Sequence, residues 1–175
     1  IPQYSDLAQH WMLDKGIVFL NHGSFGATPI KILDQQTGYR HMMEREPVDF
    51  FVNQWPVLMA HSKQKLADFV SADPDDMVFV QNTTTGVNQI LTSFPFEPGD
   101  EWLVSSHAYG ACMQAMRHFS ERNKIRLHVV EIPFPVEDDQ QILKAIEDKI
   151  NNRTSLALID HVSSATGMVF PIKKM

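Results

Sequence analysis

From residue 77 onward, short apolar runs alternate with longer amphipathic stretches, and that alternation sets the expected architecture. Met77-Val78-Phe79-Val80 reads as a buried strand, and residues 86–94 as the helix that follows a Thr-rich turn. Pro98-Gly99-Asp100 is a turn, residues 101–105 the next strand and residues 109–122 a helix. A third strand over 126–132, a third helix over 139–150 and a fourth strand over 155–160 complete the series. Strands separated by one helix each imply a parallel sheet with crossover helices. The expected fold class is α/β.

The first part of the chain is patterned differently. Residues 5–14 suit a short helix, and Ile17-Val18-Phe19-Leu20 an extended run that breaks at the Gly-bearing turn Asn21-His22-Gly23-Ser24-Phe25-Gly26. Ile30, Ile32, Leu33, Met42 and Met43 space a helix from residue 30 to about 45, interrupted by Glu46-Pro47. Pro56 opens a second helix to about residue 70, with Val57, Leu58, Leu66, Phe69 and Val70 on its apolar face. The expected division is an N-terminal segment with an active-site turn, residues 1–55, and the first part of an α/β domain, residues 56–175. Where Phe170-Pro171-Ile172-Lys173-Lys174-Met175 ends the chain, another crossover helix is expected, so the sheet is expected to be incomplete at the C-terminus.

Composition narrows the function classes. The 175 residues are 43% hydrophobic and 21% charged, as in an ordinary globular domain able to bury a core. With 15 Lys and Arg against 21 Asp and Glu, the net charge of −6 leaves no basic excess for a dedicated nucleic-acid binder. Cys112 is the sole cysteine, which excludes an intrachain disulfide and makes a reducing cytoplasm the expected compartment. The opening Ile-Pro-Gln-Tyr-Ser-Asp has no basic region ahead of an apolar stretch, so no signal peptide is expected. No apolar run approaches the ~20 residues of a membrane span.

Three segments carry candidate chemistry, each at the carboxyl end of an expected strand, the edge where parallel sheets bind ligands. Asn82-Thr83-Thr84-Thr85-Gly86-Val87-Asn88 sets three hydroxyls and a glycine at a helix start, where free N–H groups suit a phosphate. It has neither the lysine of an NTP-binding loop nor a G-x-G-x-x-G dinucleotide pattern. Helix capping by Thr83 or Thr84 is the alternative for the same residues. His107-Ala108-Tyr109 offers an imidazole and a phenol, for stacking on a flat ring or for proton relay, with a helix-start histidine bonded to backbone as the alternative for His107. The third segment is Asp160-His161-Val162-Ser163-Ser164-Ala165-Thr166-Gly167. His107 and His161 lack the spacing and partners of a zinc site, and no G-x-S-x-G elbow marks a serine hydrolase.

Taken in order, these segments resemble the class V aminotransferase superfamily of pyridoxal-phosphate (PLP) enzymes. Leu20-Asn21-His22-Gly23-Ser24-Phe25-Gly26 and His107-Ala108-Tyr109-Gly110-Ala111 are similar to its isopenicillin N epimerase-like branch. Asn82-Thr83-Thr84-Thr85-Gly86-Val87-Asn88 resembles the superfamily's phosphate turn, and His161-Val162-Ser163-Ser164-Ala165-Thr166-Gly167 the segment lining the pyridine side. The resemblance implies a three-layer PLP-transferase-like large domain. It implies Thr83 and Thr84 on the phosphate, His107 stacked on the ring with Tyr109 as the second choice, and Ser164 or Ser163 as a polar contact. Asn21 and His22 would lie on the substrate side.

The resemblance further implies an amino-acid substrate, a homodimer, and an epimerase, a desulfurase or other lyase, or an aminotransferase. Superfamily members run to roughly twice this length. Their Schiff-base lysine lies in an H-K pair, and the acid that keeps the pyridine nitrogen protonated in a D-[GA]-x-[HQ] motif, neither of which occurs here. The catalytic pair is therefore expected to lie outside this chain, which alone is expected to be inactive. A non-catalytic PLP- or phosphate-binding fragment, or an interaction module, is the alternative reading.

Overall fold

The computed structural model describes residues 4–175; the three residues before them, part of the stretch read for a leader, lie outside the described residues. The chain divides into two compact units, the first ending at Val78 and the second running Phe79–Met175.

In the second unit everything is arranged about β1, Glu101–Ser105, all five of whose residues are buried. It pairs in parallel with β2, Arg126–Val130, on one side and β3, Thr154–Leu158, on the other, giving the order β2-β1-β3. A middle strand covered on both faces needs apolar residues of both parities, and Trp102-Leu103-Val104 supplies them. Trp102 and Val104 pack against Leu91 of helix α5, Thr83–Ser93, and against Met113 and Met116 of α6, Gly110–Asn123. Leu103 faces the opposite way, onto Ile142 and Ile146 of α7, Asp139–Glu147, and onto Phe170. Helices therefore cover both faces of the sheet, as the expected three-layer α/β class requires.

The helices follow their side-chain spacing. Cys112, Met113, Met116 and Ser120 place one face of α6 in the core, and Ile142, Leu143 and Ile146 do the same for α7. Asp138 starts α7 by accepting from the Gln141 N–H at 3.0 Å. At the amino edge of the sheet, Glu101 is almost fully buried and gathers all three strands. Its carboxylate meets His128 at 2.7 Å, Asn151 at 2.9 Å and Arg153 at 2.6 Å. These bonds from Asn151 and His128, with the charge of Arg153, hold the Glu101 carboxyl below its usual range.

The first unit is helical. A 3-10 turn, Asp6–His10, precedes one turn of helix, α1, His22–Phe25. Helix α2, Ile30–Arg45, gives way at Glu46 to the short α3, Pro47–Asp49, and a π-helical turn, Phe50–Gln54, that runs into α4, Trp55–Val70. Both long helices lie where their apolar spacing predicts.

Four expectations are corrected. Residues 77–80 form no strand and pair with none among the described residues, and Val78 is 82% exposed; an apolar run supplies a strand's side chains but not its neighbour. Residues 5–14 yield a 3-10 turn rather than a longer helix. The Gly-bearing turn at 21–26 contains the helical turn α1, closed by Ser24 and Phe25 N–H bonds to the Asn21 carbonyl. Finally, the Thr-rich segment is already the first turn of α5.

Candidate functional site

The order β2-β1-β3 means the chain leaves β1 for a neighbour on one side and later returns to its other side. Crevices at such switch points, outside the carboxyl ends of the strands, are where open α/β sheets bind ligands. Here the switch point falls between the ends of β1 and β3, where α6 begins and Cys112 of its first turn lies beside Thr84 at the start of α5.

The start of α5 is set by Asn82, whose Oδ1 accepts the Thr85 N–H at 2.8 Å while its carbonyl accepts the Gly86 N–H at 3.1 Å. Asn82, not Thr83 or Thr84, is the N-cap. As the first two helical residues, Thr83 and Thr84 have N–H groups with no intrahelical carbonyl to reach, and the helix dipole adds positive potential there. The Asn88 amide holds the Thr84 carbonyl at 2.8 Å, closing the turn from within. The Thr84 side chain also lies beside the Cys112 thiol, where α5 meets the first turn of α6. Burial, reinforced by the nearby Asp160 charge, pushes that thiol upward, so it stays protonated.

His107 follows β1 in a tightly held turn. Its N–H donates to Ser105 Oγ at 3.0 Å, and its Nε2 donates to the Ile132 carbonyl at 3.0 Å. A carbonyl only accepts, so Nε2 carries the hydrogen of that bond. Phe134 and Phe170 lie 6.1 and 6.4 Å from the imidazole, centroid to centroid. Tyr109 is half exposed and is the N-cap of α6.

Beyond β3, Asp160 Oδ2 accepts the Tyr109 N–H at 3.3 Å, across the crevice. Burial raises the Asp160 carboxyl above its usual range, and the Tyr109 bond works against that rise. The two serines that follow differ. Ser163 is buried, its Oγ bonded to Thr166 Oγ1 at 2.6 Å and to the Met168 N–H at 3.1 Å, which closes the loop whose Gly167 has φ +67°. Ser164 is exposed. The loop thus consumes one hydroxyl and presents the other.

Thr83, Thr84, His107 and Ser164 all belong to the second unit and to this edge. Asn21 and His22 belong to the first unit. There the His22 ring meets Phe19 edge-on at 4.8 Å and borders a hollow of about 780 Å³ also lined by Tyr4, Trp11 and Ile17. Sequence reasoning missed Cys112, read only for its redox implication. Its place three residues beyond the α6 cap was the available signal. Among the described residues no cluster of His, Cys, Asp or Glu is arranged to hold a metal ion. No helix there is long and apolar enough to cross a membrane.

A family model, aminotransferase class-V, matches residues 31–175. The chain belongs to the class-V aminotransferase family. Among curated members, it is 27% identical to the isopenicillin N epimerase of Streptomyces clavuligerus, over 100% of this chain and 44% of that protein. It is also 27% identical to the hercynylcysteine sulfoxide lyase of Schizosaccharomyces pombe, over 97% of this chain and 43% of that one. The chain therefore spans less than half the length of these class-V relatives. The fold is that of a mutant C-DES enzyme solved with glycine covalently linked to its PLP cofactor, with TM-score 0.73 and 20% identity over 83% of this chain and 38% of that structure.

Proposed function

We infer that this chain forms the phosphate-end half of a PLP site, in an enzyme that acts on an amino acid. One observation carries the reading: at the crevice between β1 and β3, the N–H groups of Thr83 and Thr84 stand open at the start of α5. Such a donor set fits a phosphate dianion and suits few neutral groups.

The other residues fit the same cofactor. PLP, when bound, supplies an electron sink for bonds breaking at an amino acid's Cα. Thr83 and Thr84 anchor its phosphate, with the Thr84 side chain steadied against the Cys112 thiol. His107, pinned by Nε2 to Ile132, presents its ring as a wall for the pyridine. Ser164 offers the polar contact that the enclosed Ser163 cannot. Asn21 and His22 serve the substrate side. The names of the relatives, an epimerase and a sulfoxide lyase, support chemistry at an amino-acid Cα or Cβ.

The lysine that tethers PLP, and the acid facing its ring nitrogen, belong in this reading to sequence beyond these 175 residues. Titration with PLP followed by visible absorbance, then borohydride reduction and peptide mapping, tests both claims. Saturable binding that inorganic phosphate competes away, without one stoichiometrically labelled lysine, is expected. Binding indifferent to phosphate would overturn the assignment of Thr83 and Thr84. One fully labelled lysine would overturn the claim that the tether lies elsewhere.

A further inference from the structure

The turn between β1 and α6 is gripped from two sides by different strands. From the β2 side, the Ser106 N–H donates to the Val130 carbonyl at 2.9 Å, and Ser106 Oγ accepts the Ile132 N–H at 3.0 Å. The His107 Nε2 bond to Ile132 adds a third tie on that flank. From the β3 side the tie is Asp160, 51 residues away in sequence, bonded to the Tyr109 N–H.

Tyr109 is the N-cap of α6 but makes no side-chain capping bond of its own. An anion at a helix N-terminus is stabilised by the open N–H groups and the dipole. Asp160 therefore performs for α6, from another strand, the task that Asn82 performs for α5 from within its own chain segment. The difference matters for the site. A local cap fixes only its helix, whereas a cap borrowed from β3 fixes the distance across the crevice.

We propose that Asp160 is a positioning residue: by gripping the Tyr109 N–H from the end of β3, it holds the His107–Cys112 turn in register with Thr84. The proposal deepens the PLP reading and rests on its assignment of Thr84 and His107. Asp160 touches neither the phosphate turn nor the imidazole by hydrogen bond; it acts through the turn. The raised carboxyl reflects the desolvation cost of keeping a charge there, so an uncharged acceptor in its place relieves that cost while preserving the bond.

The test compares Asp160→Ala, which removes the acceptor, with Asp160→Asn, which keeps an acceptor and removes the charge. In the unliganded 175-residue protein, D160A is expected to move the His107 imidazole resonances and to speed Tyr109 amide exchange roughly tenfold, the scale of one lost hydrogen bond. The PLP dissociation constant should rise by a similar factor. D160N should restore all three readouts to near wild type. Should D160A fail to fold, Asp160→Ser, whose hydroxyl is too short to reach Tyr109, replaces it. Unmoved His107 resonances in the acceptor-free variant, or a D160N protein that behaves like it, would overturn the proposal. Wild-type protein that fails to bind PLP would instead defeat the cofactor reading, while the His107 and Tyr109 measurements still decide the role of Asp160.

Discussion

Asn82 allows the cap of α5 and the charge beside it to be varied separately. Its Oδ1 accepts the Thr85 N–H at 2.8 Å, so Asn82→Ala removes a cap and costs about 1 kcal/mol of stability, roughly a fivefold rise in the unfolding constant. Asn82→Asp retains an acceptor in the same position, and its charge suits a helix N-terminus, so stability should hold or rise slightly. Binding should respond in the opposite order. A carboxylate and a phosphate charge about 6 Å apart repel by about 0.7 kcal/mol in water and about 2.8 kcal/mol at an effective dielectric near 20. With a phosphate at Thr83 and Thr84, N82D should therefore weaken PLP binding by about 3- to 100-fold, less so at high salt. Urea unfolding measures the first effect and titration with PLP or inorganic phosphate the second. An N82D protein of wild-type stability that also binds with wild-type affinity would refute the location of the anion at α5.

Two further outcomes concern the scaffold. Because hydrogen bonds depress the Glu101 carboxyl below 4.5, its stabilising contribution is complete above that value and is lost as pH falls through the lower folded-state value. Urea unfolding between pH 6 and pH 3 should show that decline in the wild type and a flatter profile in Glu101→Gln; equal slopes would mean the cluster does not couple to folding. Met116, fully buried between α6 and β1, should lose about 2–5 kcal/mol on substitution by Ala, and a measured loss under 1 kcal/mol would contradict the packing described.

The parts of the fold legible in the sequence were those governed by local pattern. Residues 101–105 were readable because a turn with Gly99 at φ +99° precedes an apolar run, and α2 and α4 because helical spacing persists over four turns. The unpaired run at 77–80 shows the limit: pairing depends on a second segment that local pattern does not reveal. The site divides in the same way. Thr83, Thr84 and His107 were visible as residue types at strand ends. The Ile132 carbonyl that holds His107 Nε2 is 25 residues away, and the Asp160 grip on Tyr109 spans 51. The distinction between Ser163 and Ser164 needed the loop itself, because adjacent serines look alike until one is enclosed.

The central place of β1 has a consequence for how the protein is made. As the first of these three strands to leave the ribosome, β1 carries Trp102-Leu103-Val104, which belongs between β2 and β3. Its β2 flank is available after some 25 residues, but its β3 flank only after roughly fifty, about 3–10 s of synthesis at about 5–20 residues per second. Through that interval an apolar, β-prone segment waits with one rim open to other nascent chains. Slowing or halting translation between β1 and β3 would therefore lower the soluble yield, although every native contact of the final molecule is unchanged.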